Sequence, residues 1–160
     1  RSYGAQLGYR TTHVDVMPIN GSGLGNAKGT LTGVSQVENF NPYQTNYFNT
    51  MAWQAGINIY GVGNATPSYN RGDWSGISNV DFGSGAKSIT VEAGSSRGSV
   101  IRISLDSPTG PVIGYVTIAA TGGAFKYKKF TAPISGASGV KNVFFVASAD
   151  VVLNTFIFSK

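Results

Sequence analysis

Apolar and polar positions alternate in short runs across the middle of the chain, and turn-forming clusters separate the runs. Residues 87–92, 99–105 and 111–118 read as strands. In the second run Ile101, Ile103 and Leu105 are apolar while Arg102 and Ser104 are polar, a period of two that turns one face to a core and the other to solvent. Gly94-Ser95-Ser96 and Ser107-Pro108-Thr109-Gly110 lie between the runs. Pro presets φ for a turn, and Gly supplies backbone angles that other residues avoid. The pattern predicts further strands at 57–61, from Trp74 onward, and at 126–132, 141–147 and 151–158, with a loop over 61–71. In the last strand Leu153, Thr155 and Ile157 alternate with Val152, Asn154, Phe156 and Phe158, and the face carrying the two Phe is expected to be core. Eight or nine strands from Thr45 onward, with no helical period between them, predict an all-β sandwich of two antiparallel sheets packed face to face.

Several turns carry a more specific signal through their order. Gly72-Asp73-Trp74, Asn79-Val80-Asp81-Phe82-Gly83, a strand, Leu105-Asp106-Ser107-Pro108-Thr109-Gly110, a strand, then Thr121-Gly122-Gly123 follow one another over about half the chain. Each motif is mostly turn chemistry, but the ordered set resembles a family 6 carbohydrate-binding module. That resemblance implies a jelly-roll, lectin-like sandwich that binds polysaccharide and carries no catalytic centre.

The first 40 residues differ from the rest and are too few to bury a core of their own. The stretch Tyr9-Arg10-Thr11-Thr12-His13-Val14-Asp15 resembles the last strand of the propeller in family 43 glycoside hydrolases. The expected organisation is a propeller remnant and linker over 1–40, then a binding module over 41–160. A chain opening at Arg1 without Met is expected to be a piece of a longer, processed protein. By the resemblance its parent is an arabinofuranosidase or xylosidase acting on arabinoxylan, and the module is a secreted, tethered monomer that targets xylan or a related plant cell-wall β-glycan. His13 and Asp15 sit two apart and share a strand face, but no third group is signalled that would complete a catalytic set. The acids are only Asp15, Glu38, Asp73, Asp81, Glu92, Asp106 and Asp150, and no carboxylate pair spanning a glycosidic bond is evident.

Composition narrows the picture modestly. Charged residues make up 12% of the 160, Gly numbers 22, and Cys is absent, so hydroxyls and amides solvate the surface and no disulfide or thiolate contributes. The net charge of +5 raises nucleic acid as a partner, but the cations are scattered except for Lys126, Lys128 and Lys129 beside Phe125 and Tyr127. That cluster reads as a solvated strand edge, since Lys on an edge discourages strand-to-strand pairing. No apolar run approaches the ~20 residues of a membrane-spanning helix.

The resemblance also implies where sugar sits. In the loop cleft usual in the family two rings clamp a sugar and an Asn hydrogen-bonds it. Here those positions fall on Ala124, Ser68 and Val152, with Phe125 and Tyr69 one place away. Some members use a second cleft on a sheet face, floored by a tryptophan at the position of Trp74. The candidate ligand-binding residues are therefore Trp74, Tyr69, Phe125, Tyr60 and Asn154, with Trp53 read as framework packing. The family's structural calcium would fall at Tyr47, Asn49 and Asn154, where a phenol and two amides replace carboxylates. Calcium prefers hard, charged oxygen ligands, so any site at Asn49 and Asn154 is weakened and no cofactor is firmly expected. The alternative function is a structural sandwich that braces a hydrolase and has lost sugar binding.

Overall fold

The computed structural model describes residues 19–21, 23–24, 39–60 and 65–160. The chain divides into two units, residues 1–37 and 38–160. In the first, β1 (Ile19–Asn20) pairs antiparallel with β2 (Gly23–Leu24). His13 and Asp15 lie outside the described residues.

The second unit is built almost wholly of strands. In chain order these are β3 (Asn46–Tyr47), β4 (Trp53–Ala55), β5 (Asn58–Tyr60), β6 (Thr66–Tyr69), β7 (Trp74–Asp81), β8 (Ala86–Gly94), β9 (Ser99–Leu105), β10 (Val112–Ile118), β11 (Lys128–Ala137), β12 (Val140–Ala147) and β13 (Val151–Ser159). Among the described residues a single 3-10 turn, Phe48–Thr50, follows β3. One sheet runs β4-β7-β12-β9-β10 and the other β11-β8-β13-β6-β5, with β3 also on β13; these strands pair antiparallel, and an isolated parallel bridge joins Phe40 to Val80 of β7. The two are continuous through a narrow joint, the pair Gly114↔Ile134 between β10 and β11, so the sheet curls over on itself into the expected sandwich.

The core follows the period-two pattern. Ile101, Ile103 and Leu105 of β9 point inward with Ile77, Val143 and Phe145 from the same sheet. They meet Ile89, Val91, Leu153, Phe156 and Phe158 of the other. Phe48 packs at 4.9 Å from both Phe145 and Phe156, tilted or edge-on, the arrangement that aromatic quadrupoles favour. The polar face of β9 is less wet than its alternation suggests. Ser104 is fully buried because the 106–110 turn folds over it, the hydroxyl donating to the carbonyl of Ser107 or Pro108.

Three expectations change in detail. Residues 66–69 form a strand, not a loop, pairing with Asn58–Tyr60 and with Val151 and Val152. The regular alternation expected in β13 is broken, because Leu153 pairs with Ala93 while Thr155 already pairs with Glu92. Asn154 is the extra residue of a β-bulge, so Val151 and Leu153 before it and Phe156 and Phe158 after it all face the core. The strand expected from Lys126 begins at Lys128, so Lys126 precedes β11. Lys128 and Lys129 are exposed on a stretch whose backbone pairs only with β8, an edge as expected.

Candidate functional site

Two surfaces gather the side chains suited to a sugar. The first is the outer face of the β4-β7-β12-β9-β10 sheet. Register places Trp53, Gly76, Phe144 and Ser104 in one cross-strand row, and Ala55, Trp74, Val146, Arg102 and Tyr115 in the next. Alternate residues of a strand share a face, so these side chains lie opposite the core set. Trp53 stacks on Phe144 with centroids 5.8 Å apart and planes within 10°, and Trp74 meets the same ring at 5.6 Å and 60°. Gly76 makes this possible: a Cβ there would stand 2.6 Å from Phe144 Cε1 and 3.1 Å from Trp53 Cε3. The result is an aromatic plate in which Phe144 is buried, Trp74 half-buried and Trp53 43% exposed. Trp53 thus packs as expected, but on the outside, and its exposure was not legible without the register. Farther along the second row Tyr115 is exposed, and Arg102 donates through Nη2 to the carbonyl of Pro108 at 2.8 Å while its buried Nε–H finds no partner.

The Gly72-Asp73-Trp74 motif sets the plate's end. Asp73 Oδ2 accepts from the backbone N–H of Asn70 at 2.7 Å and from its side-chain amide at 3.1 Å, closing the turn that delivers Trp74 to β7. The carboxylate is structural.

The second surface is a cavity of 600 Å³ among loops at one end of the sandwich. Its lining includes Ser68, Ser95, Ala124, Asp150 and Val152, together with two guanidinium side chains, Arg71 and Arg97. Thr121 of the Thr-Gly-Gly motif lies behind the lining and holds Ser95 in place. Its N–H donates to the carbonyl of Ser95 at 2.8 Å, and its hydroxyl accepts from the Ser95 N–H at 3.0 Å. Gly94 lets the following loop lie against β8, because a Cβ there would overlap the Ala124 carbonyl. The three positions at which the resemblance places two rings and an Asn, namely Ala124, Ser68 and Val152, do line one cavity, yet none carries a ring or an amide.

The candidate clamp of Tyr69 and Phe125 is not formed. Tyr69 is fully buried, its hydroxyl 2.7 Å from that of the buried Ser75, and burial pushes the phenol well above its usual pKa. The two-residue alternation of β6 turns Pro67 and Tyr69 inward and leaves Ser68 on the cavity. Phe125 instead meets Tyr60, centroids 6.1 Å apart and planes at 80°, with both rings more than half exposed. Tyr60 and Phe125 are therefore brought together, while Tyr69 and Trp74 lie apart from that pair.

Asn154 belongs to neither surface. It lies on the outer face of the other sheet, in a shallow depression with Tyr47, Glu92, Lys129 and Thr155, and its amide donates to the Glu92 carboxylate. Since a carboxylate only accepts, the amide presents its NH₂ there. Asn49 is exposed in the 3-10 turn, and Tyr47 is 45% exposed. Among the described residues no three His, Cys, Asp or Glu side chains converge, and the set at the expected calcium positions brings no carboxylate of its own. These donors do not fit a calcium ion.

Comparison with known proteins places the chain. The model of the family described as carbohydrate binding module (family 6) matches residues 48–160. An arabinoxylan arabinofuranohydrolase of Paenibacillus polymyxa is 34% identical over 89% of this chain, which corresponds to 24% of the relative's length. A solved family 43 arabinoxylan arabinofuranohydrolase from Bacillus subtilis, in complex with cellotetraose, superposes with a TM-score of 0.85 and 29% identity, over 92% of this chain and 34% of that one. A family 6 module from Clostridium cellulolyticum, in complex with xylose, gives a TM-score of 0.72 at 30% identity over 76% of this chain and all of that one. The chain thus spans about a quarter to a third of the arabinofuranohydrolases it matches. With the family model covering well over half of its residues, the chain belongs to family 6 of the carbohydrate-binding modules.

Proposed function

We propose that this module holds a xylan-type or related β-glycan against the aromatic plate of Trp53, Phe144 and Trp74. The observation that carries the reading is the plate itself: two tryptophans fixed on adjacent strands by one buried ring, with Trp53 left 43% exposed. A sugar offers C–H patches to a ring face. A platform already held by a sheet loses less conformational entropy on binding than one ordered from a loop. Tyr115 and Arg102 extend the same row and offer hydrogen bonds to hydroxyls farther along a chain. The Tyr60–Phe125 pair supports a second reading, in which the exposed rings beside the loop cavity make the contact.

The relatives named above suggest that the whole protein is an arabinoxylan-degrading hydrolase working outside the cell, for which this module supplies adhesion to substrate without catalysis. Residues 1–40 would then be the end of its propeller and the linker to the module. The module keeps its shape without calcium, given the donors at Tyr47, Asn49 and Asn154.

Affinity electrophoresis through gels containing arabinoxylan, xylan, mixed-linkage glucan or agarose tests the reading. Retardation by a xylan-type gel is expected, and Trp53→Ala and Trp74→Ala, each checked for an intact fold by far-UV dichroism, should abolish it. If Tyr60→Ala with Phe125→Ala abolishes retardation while both tryptophan variants keep it, the loop pair is the site. No retardation of the unaltered chain in any gel would leave the brace as its role.

A further inference from the structure

We propose that the loop cavity, which stands where the family's usual cleft lies but lacks its two rings and its Asn, has changed its ligand chemistry and takes the carboxylate of a uronic acid carried on a glycan. Arg71 and Arg97 come from separate loops, after β6 and after β8, yet both line the same 600 Å³ cavity. Neither guanidinium has an ion pair or hydrogen bond among the described residues, whereas Lys141 is matched to Asp106 at 3.5 Å. Among the described residues Asp150 is the only acid on the lining, so the side chains there carry two positive charges against one negative. The Asp150 carbonyl is already occupied within the lining, accepting from the buried Ser95 hydroxyl at 2.8 Å.

The walls argue against a neutral sugar as the preferred occupant. Among the described residues no aromatic ring lines the cavity, and the exposed Tyr60–Phe125 pair stands outside that lining, so a sugar seated within it meets no ring face. What the site offers is two planar forks of N–H donors. Such forks match a carboxylate geometrically, and a charge-assisted bond is about twice as strong as a neutral one. Ser68, Ser96 and Ser148 add hydroxyls suited to the remaining ring oxygens. The volume lies in the range of small-molecule pockets and accommodates a sugar ring with its neighbours. The module would then read two features of one polysaccharide, an apolar chain face on the plate and an acidic branch in the cavity.

Calorimetric titration of the whole chain compares an aldotetraouronic acid, three xyloses bearing one methylglucuronic acid, with neutral xylotetraose. At low salt the acid should bind about tenfold more tightly, the worth of roughly one charge-assisted bond at a partly exposed site. The advantage should shrink severalfold in about 0.5 M NaCl, where screening reaches only a few ångströms. Arg71→Gln with Arg97→Gln should remove the preference and leave xylotetraose binding intact. Amide shift mapping on the unaltered chain locates the acid without any variant: Ser96, Arg97, Ser148 and Ala149 should move. Equal affinity for acid and neutral sugar, a preference kept by the double variant, or shifts confined to β4, β7 and β12 would overturn the proposal. Loss of neutral binding in Trp74→Ala bears on the plate alone, so the two readings fail separately.

Discussion

Replacing Tyr69 by Phe removes one oxygen atom from the interior, and the structure sets what that should cost. The Tyr69 and Ser75 hydroxyls are 2.7 Å apart, and both residues are 0% exposed. A hydrogen bond contributes ~0.5–1.5 kcal/mol net, and leaving its buried partner unsatisfied costs ~1–3 kcal/mol, so Tyr69→Phe should destabilise the second unit by about 2 kcal/mol. Removing both hydroxyls, in Tyr69→Phe with Ser75→Ala, should cost less than the single change, because no orphan remains. Urea titrations followed by tryptophan fluorescence measure both. Glycan retardation should be unchanged in either variant. A cost below about 0.5 kcal/mol, or a double variant less stable than the single, would refute the buried pair. Loss of glycan binding with the fold intact would return Tyr69 to the ligand site.

The same residue has an alkaline signature. Burial raises the Tyr69 phenol above its usual value near 10, so above that pH the unfolded chain releases a proton that the folded one keeps. The unfolded state then binds fewer protons and stability falls as pH rises. This contribution is complete below pH ~10, and roughly 1.4 kcal/mol of it is gone by pH ~11. Tyr69→Phe lacks that loss, so its stability should converge on that of the unaltered chain across this window. Tyr43 is also raised, by burial first and then by Asp81, but it is common to both proteins and cancels in the difference. Gly94→Ala should be among the costlier single methyl additions in this molecule, about 3 kcal/mol in the same titration, because the clash is with the backbone carbonyl of Ala124 and the loop must lift away. A cost under about 1 kcal/mol would show that the loop yields freely. Calcium should matter little: melting in millimolar calcium and in chelator should agree within about 1 °C, since only a ligand bound by the native state raises its stability. A shift of many degrees would mean that other oxygens hold the ion.

Strand positions were largely legible because nearly every strand has one dry face, and a period of two survives wherever that holds. β8, β9, β12 and β13 fall within a residue or two of the expected bounds. Asp73 was legible as a turn residue for a similar local reason, since it closes its turn on Asn70, three positions away. What could not be read were the facts that depend on register between distant segments. Tyr69 looked available because the short strand around Pro67 resembled a loop, and only pairing with Val151 shows which way it points. Trp53 became part of a plate through Gly76 and Phe144, and Phe144 lies 91 positions away in sequence. Arg71 and Arg97 sit in unrelated loops with no shared motif, and only the closure of the sandwich sets them on one cavity.

The bulge at Asn154 also marks where this strand can change length over evolutionary time. Residues before and after it obey opposite parities, with Val151 and Leu153 inward at odd numbers and Phe156 and Phe158 inward at even ones. Removing Asn154 alone would bring the two halves into one parity, so all four side chains would still face the core and the ladder with β8 would run unbroken. What would be lost is one outward amide and its bond to Glu92. Removing or adding one residue between Phe156 and Phe158 has no such escape, because it would swing one of those rings into water or pull its partner strand out of step. Descendants of this module should therefore gain and lose a residue at 154 far more readily than elsewhere in the second half of β13.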